Sequence, residues 1–377
     1  MIANADPKAN LAACAEEVRA AIARVLESGR YILGPEVAAF EREFAAWLGA
    51  TACLSVANGT DALELALRAV GLRGGDGVVL PANTVSATIA AVIAAGGVPV
   101  LCDVDPVTMT LAPEALRTVL DAPAGVGVRA IVPVHLYGHP GALPAIMAMA
   151  EERGLKVVED CAQAHGAALG GRKVGTWGHA AAFSFYPTKN LAALGDGGAV
   201  VSGDPAVAER VQALRQYGWR ERYVSSGDGG RNSRLDEIQA AVLGVRLKRL
   251  DAENARRRHL AGIYAAELAG TGLRLPPAGG GAVTPVFHQF AVRTPDRESL
   301  RSWLEVRGIV AQALYPVPLH RQPAFAKWAP RAMDALGECE RCCATVLSLP
   351  VHPALDDEDV RQVAAAVRAW SAAGGRG

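Results

Sequence analysis

"ACLSVANGTDALELALRAVG", residues 52–71, runs from a short apolar segment through a small polar turn into an amphipathic helical stretch. The same unit recurs downstream. "GVVLPANT" leads into "VSATIAAVIAAGG", "VPVLCDVD" into "PEALRTVL", and "RAIVPVHLYG" into "ALPAIMAMAEERG", after which comes "KVVED". Strands that are almost continuously apolar and alternate with helices predict an α/β fold whose mostly parallel central sheet is covered on both faces. "AAAFSFYP" and "GGAVVSGD" follow closely on one another, which predicts adjacent strands with no long helix between them. Upstream, residues 16–28 and 35–48 show helical spacing around the turn "GRYILGP".

Further along, Leu235, Ile238, Val242, Val245 and Leu250 keep helical spacing with no internal proline. This predicts one long helix over about 235–268, roughly 50 Å in length, leaving one domain and entering another. The expected division is a large α/β domain over 1–245 and a smaller C-terminal α+β domain over 246–377. In the latter, "FHQFAVR" and "GIVAQALYPVPLH" are strand candidates.

Composition narrows the function. The chain has 377 residues, 51% of them apolar, and its 38 basic and 38 acidic side chains cancel. No net basic field is available to collect nucleic acid or an anionic membrane, and "NARRRH" reads as a solvated helix face. The first residues lack the apolar core of a signal peptide, and no apolar run is long enough to span a bilayer. Seven scattered cysteines suit reduced thiols and a cytoplasmic location. "CERCC" (Cys339, Cys342, Cys343) looks like half a zinc site, but no second pair follows, so no metal is expected.

Chemistry is expected beyond the carboxyl ends of the strands. Asn58, Gly59, Thr60 and Asp61 open a helix there, and read either as an ordinary cap or as a phosphate seat. Asp160 ends "KVVED", where a carboxylate needs a cationic or donor partner that its sequence neighbours do not provide. Lys189, in "FSFYPTKN", is a lysine in an apolar, aromatic setting, five residues after Ser184. Such an amine either reaches solvent or is discharged, by desolvation or by being tied up as an imine. A phosphate seat, a carboxylate for a ring nitrogen and an amine for an aldehyde together suit pyridoxal 5′-phosphate (PLP).

Taken together, "RYILGPEVAAFEREFAAWLG", "NGTDALELAL", "PVHLYGHP", "VVEDCAQAHGA", "AFSFYPTKNLAALGDGGA", "RQYGWRERY", "RNSRLDEIQAA" and "YPVPLH" resemble the DegT/DnrJ/EryC1/StrS family of sugar aminotransferases. The resemblance implies the aspartate-aminotransferase-like fold, PLP fold type I. It also implies Lys189 as the Schiff-base lysine, Asp160 as the partner of the pyridinium, and Gln163 as donor to the ring's phenolic oxygen. Gly59, Thr60 and Ser184 would hold the phosphate, and Asn232 would reach the phosphate of a neighbouring subunit, making a homodimer functional. Tyr31, His165, Tyr186, Tyr315 and His320 are candidates for the sugar side. One departure stands out: "PANTV" places Val85 where many relatives carry an aromatic residue that stacks on the ring.

The implied reaction is a ping-pong transfer of an amino group from L-glutamate to a nucleotide-linked keto-sugar, with features closer to enzymes acting on dTDP-3-oxo-6-deoxyhexoses than to the C-4 group. The alternatives are an aminocyclitol (scyllo-inosose) aminotransferase, a C-4 nucleotide-sugar aminotransferase, a PLP-dependent sugar deoxygenase or dehydratase, and a non-catalytic regulator on the same fold.

Overall fold

A computed structural model describes residues 1–122, 126–329 and 336–375. The repeating units identified in the sequence supply strands β1 (Ala52–Val56), β2 (Gly77–Pro81), β3 (Val98–Cys102), β4 (Val128–Ile131) and β5 (Lys156–Asp160). They are followed by β6 (Ala180–Ser184) and β7 (Gly198–Ser202). These seven strands form one sheet in the order β1-β7-β6-β5-β4-β2-β3. β7 alone runs antiparallel to its neighbours β1 and β6, in the registers Val56↔Gly198 and Ser184↔Gly198. The other neighbouring pairs are parallel.

That single reversal matters for the site. A parallel return needs a crossover, whereas an antiparallel one can be made directly at the sheet edge. The connection from β6 to β7 therefore stays at the carboxyl end of the sheet, and it carries Lys189.

Both sheet faces are buried, as continuous apolar strands require. Along β6, Ala180 and Ala182 pack with Val56, Leu63, Leu67, Leu80, Ile89 and Val158 on one face. Ala181 and Phe183 face the other way, onto Phe40, Phe44, Phe185 and Leu243. Phe44 meets Phe183 and Phe185 edge-on, at centroid distances of 5.1 and 5.6 Å. Each of these fully buried rings contributes about 1.5–3 kcal/mol through burial. The upstream helices form as expected, over Ala15–Ser28 and Pro35–Leu48, each ending on a left-handed glycine.

Two expectations are corrected. The single helix over 235–268 is two helices, Glu237–Leu247 and Leu250–Glu267. A short-step bond from Arg249 N to Arg246 O marks the break. Both helices keep their apolar residues at helical spacing, so periodicity reports the buried face and not a change of axis. The segment "GIVAQALYPVPLH" is not a strand. It makes isolated bridges at Ile309 and Gln312, and its prolines then deny the ladder its donors.

Strands β8 (Phe290–Arg293) and β9 (Val346–Leu349) pair antiparallel, with Phe290 opposite Leu349. Around them, Leu260, Tyr264, Leu300, Leu304, Val363, Val367 and Trp370 form a separate core that also takes in Ile2. Among the described residues, no helix is long and apolar enough to cross a membrane.

Candidate active site

β1, β5 and β6 share one direction, so their carboxyl ends bring the turn at Asn58, the carboxylate of Asp160 and the hydroxyl of Ser184 to the same edge. A cavity of about 730 Å³ lies there, lined by Gly59, Thr60, Asp160, Ser184 and Lys189 among others. The two groups on which the cofactor reading depends therefore share one space.

Asn58 caps the helix Gly59–Ala69 by accepting from the Asp61 amide at 2.8 Å. The amides of Gly59 and Thr60 are left without a protein acceptor among the described residues. They sit at the positive end of a helix dipole, which is where an anion is favoured. Side chains are kept out of this seat: a Cβ on Gly59 would stand 2.6 Å from Ser184 Cβ, and one on Gly198 2.4 Å from the Asn58 carbonyl oxygen.

Asp160 accepts from Thr88 Oγ1 at 3.0 Å and from the Ala162 amide at 3.1 Å. Burial pushes its carboxyl up from the usual range, and the two donors and the Lys189 charge only partly offset this. The carboxylate is thus short of positive charge, as its position in the sequence suggested. Lys189 is anchored by its own amide, which donates to the Tyr186 carbonyl at 2.8 Å. Burial lowers its amine to about 8, against the opposing pull of Asp160. The residues present therefore fit PLP: a cradle without side chains for a phosphate, a carboxylate lacking a cation, and an amine that is partly neutral near physiological pH.

Of the proposed sugar-side residues, Tyr186 and Tyr315 line the cavity, together with Val85. Tyr31, His165 and His320 do not line this chain's cavity, each for its own reason. The His165 ring is enclosed between Phe183 and Phe185, and burial lowers it to about 3. His320 Nε2 pairs with Glu340 at 2.8 Å. Tyr31 is exposed outside the cavity. Gln163 sits behind the wall, accepting from the Tyr137 amide and donating to the Tyr315 hydroxyl at 2.9 Å. Asn232 is exposed and bridges to Gln216, away from this chain's own cavity.

Sequence reading missed Thr88, Asn4, His288 and Gln312, all of which line the cavity. Thr88 had a signal: after Ser86 it is the one polar residue on the helix Ser86–Ala94. The others come from segments remote in sequence.

Two clusters of possible metal ligands lie outside this cavity. Glu159, beside His135 and Cys161, is filled by the amides of Gly175, Trp177 and Gly178 and by His135 Nε2. Cys339, Cys342 and Cys343 lie on one face of a helix, buried as free thiols.

A doubly covered sheet with a carboxylate and a desolvated lysine around one cavity at its carboxyl edge defines an α/β enzyme that works through an amine. Residues 13–368 match the DegT/DnrJ/EryC1/StrS aminotransferase family, and the chain belongs to that family. It is 47% identical, over 97% of its length and 96% of the relative's, to a dTDP-3-amino-3,4,6-trideoxy-alpha-D-glucose transaminase of Streptomyces venezuelae. It is 42% identical to a dTDP-3-amino-3,6-dideoxy-alpha-D-galactopyranose transaminase of Aneurinibacillus thermoaerophilus, over 94% of its length and 95% of the relative's. Among solved structures, S. venezuelae DesV in complex with a ketimine intermediate superposes with a TM-score of 0.93, at 46% identity and 98% coverage of both chains. The chain is accordingly a PLP-dependent transaminase of fold type I.

Two measurements probe the cavity directly. With Lys189 titrating at about 8, capture of PLP by the cofactor-free chain should accelerate about tenfold between pH 7 and pH 9, as the neutral amine fraction rises. Stopped-flow absorbance reads that rate, and a flat profile would contradict the lowered amine. Gly59→Ala should weaken PLP binding about tenfold to a hundredfold, because the added methyl overpacks against Ser184. Unchanged affinity in a spectral titration would show that the turn is not the phosphate seat.

Proposed function

We propose that the enzyme moves an amino group from L-glutamate to the keto group of a nucleotide-linked sugar, a dTDP-3-oxo-6-deoxyhexose. The observation that carries this reading is the shared cavity of Asp160, Lys189 and the Gly59–Thr60 turn. The acceptor class rests on the dTDP-sugar transaminases that the chain resembles over nearly its whole length.

PLP, when bound, supplies the carbonyl that exchanges amines and the ring that draws electrons from the donor's α-carbon. The chain supplies the rest. Asp160 keeps a proton on the ring nitrogen, since a buried carboxylate short of cations stabilises a positive partner. The amides of Gly59 and Thr60, with the Ser184 hydroxyl, hold the phosphate. Lys189 Nζ would hold the cofactor and, once the donor's amine has displaced it, would take the proton from the donor's α-carbon and carry it on Nζ, a base-then-acid role suited to an amine near 8. Gln163 retains a second Nε2 hydrogen for the ring oxygen, and Tyr186 and Tyr315 offer hydroxyls to the sugar. Asn232, exposed on one protomer, completes the phosphate site of its partner in a homodimer.

The test is to supply the loaded enzyme with glutamate and, in turn, 3-oxo and 4-oxo dTDP-sugars and scyllo-inosose, and to locate any new amine by NMR. Amination at C-3 supports the proposal. Amination at C-4 or of the cyclitol alone replaces the acceptor, and no amination of any of them removes it.

A further inference from the structure

The phosphate seat carries an acid of its own. Asp61 stands in the first turn of the helix Gly59–Ala69 and lines the same cavity as Gly59 and Thr60. A carboxylate there suits the helix, but it competes with an incoming anion for the positive end of the dipole and repels it. Glu64, three residues further along the helix and 1% exposed, adds a second negative charge.

Two arginines answer these charges. Arg68, on the same helix, donates from Nε to Glu64 Oε1 at 2.9 Å. Arg231 comes from a remote part of the chain and reaches both acids. Its Nη1 meets Asp61 Oδ1 at 3.0 Å, and its Nη2 meets Glu64 Oε1 at 2.8 Å. Among the described residues, Arg231 is the one cation paired with Asp61. The backbone that carries it is pinned to its surroundings. Arg231 N donates to the Leu214 carbonyl at 2.8 Å, and Tyr217 N to the Arg231 carbonyl at 3.0 Å. Two residues on, Ser233 Oγ accepts from the Ala57 amide at 3.1 Å, immediately before the Asn58 cap. The segment 231–233 is thus fixed against the turn that forms the seat, and the guanidinium loses little further freedom in meeting the two acids.

We propose that Arg231 is a positioning residue for cofactor binding, holding the Asp61 carboxylate in an ion pair so that the Gly59 and Thr60 amides are left to the phosphate of PLP. With Arg231 in place, the charges of Asp61, Glu64, Arg68 and Arg231 cancel. Without it, Arg68 stays with Glu64, and Asp61 is left as an uncompensated negative charge beside a second anion. This role rests on the Gly59–Thr60 turn being the phosphate seat, and the test separates failure of the seat from failure of Arg231.

The experiment is a spectral titration of the cofactor-free full-length chain with PLP and with pyridoxal, which has the same ring and aldehyde but no phosphate. The parent should bind PLP much the more tightly. Arg231→Ala should weaken PLP binding about tenfold, a moderate effect because the arginine is 37% exposed and solvent screens the charges. Pyridoxal binding should not change, since the ring and aldehyde contacts are untouched. Adding Asp61→Asn to Arg231→Ala should restore most of the PLP affinity, because the opposing charge is then gone. Asp61→Asn alone, with Arg231 still on Glu64, should bind PLP no more weakly than the parent. Parent affinity for PLP in Arg231→Ala overturns the proposal, as does an equal loss for PLP and pyridoxal, which would make Arg231 a support for the fold of the whole site. It is overturned as well where Asp61→Asn weakens PLP binding or fails to rescue Arg231→Ala. A parent that binds both ligands equally well removes the phosphate seat itself, and the role of Arg231 with it.

Discussion

Lys189→Ala is expected to lower turnover at least about 10⁴-fold and to abolish the visible absorbance that PLP gives when joined to a lysine. Among the described residues, no other lysine lines this cavity. Lys189 is the lysine lining the cavity, and it is carried there by the direct antiparallel return from Ser184 to Gly198. The variant should still fold. Removing a buried amine whose burial disfavours its charge relieves a cost, and the loop keeps its backbone bond from residue 189 to Tyr186. Non-covalent PLP binding should survive, because the phosphate seat at Gly59 and Thr60 and the carboxylate of Asp160 remain. Colour and turnover together are the readout. A variant that keeps full colour would transfer the covalent role to another side chain and undo the mechanism.

The fold and the centre of the site were legible in the sequence because each left a local chemical anomaly. Strand–helix alternation from residue 52 onward specified a sheet buried on both faces, and Ala180 to Phe183 divide between those faces as the alternation requires. Asp160 and Lys189 stood out as charges at apolar strand ends. Gly59 stood out as a glycine at a helix start, where Ser184 forbids a side chain.

What escaped was non-local. His288 meets Asn190, the neighbour of Lys189, across almost a hundred residues of chain. Asn4 enters the cavity because Ile2 pairs with Ile309. No periodicity encodes such meetings. His165 misled because it follows Asp160 closely and yet turns its ring into the aromatic core, away from the cavity. The apolar residues of 308–320 misled for a related reason. Leu314 and Tyr315 are apolar because they wall a cavity, a demand that sequence alone does not distinguish from a buried strand.

Asp160→Asn should separate function from stability. Turnover is expected to fall about 10²–10³-fold, since a neutral amide cannot hold the proton on a ring nitrogen and the ring then draws electrons poorly. Stability should move the other way, or not at all. Burial raises the Asp160 carboxyl in the folded chain above its unfolded value, so the folded state binds the proton more readily. Below the unfolded pKa the acid is protonated in both states and costs nothing. As pH rises past the unfolded value and through the folded one, the stability penalty grows. Asparagine removes that penalty and keeps an oxygen to accept from Thr88, at the expense of the bond from Ala162 if its amide faces that way. The cofactor-free variant should therefore unfold at a temperature no lower than the parent at neutral pH, as read by calorimetry, while the extra stability conferred by PLP shrinks. A clear drop in the cofactor-free unfolding temperature would mean that Asp160 is held for the fold, with its carboxylate already satisfied by the protein. In that case the electrostatic demand attributed here to the cofactor ring would have no basis.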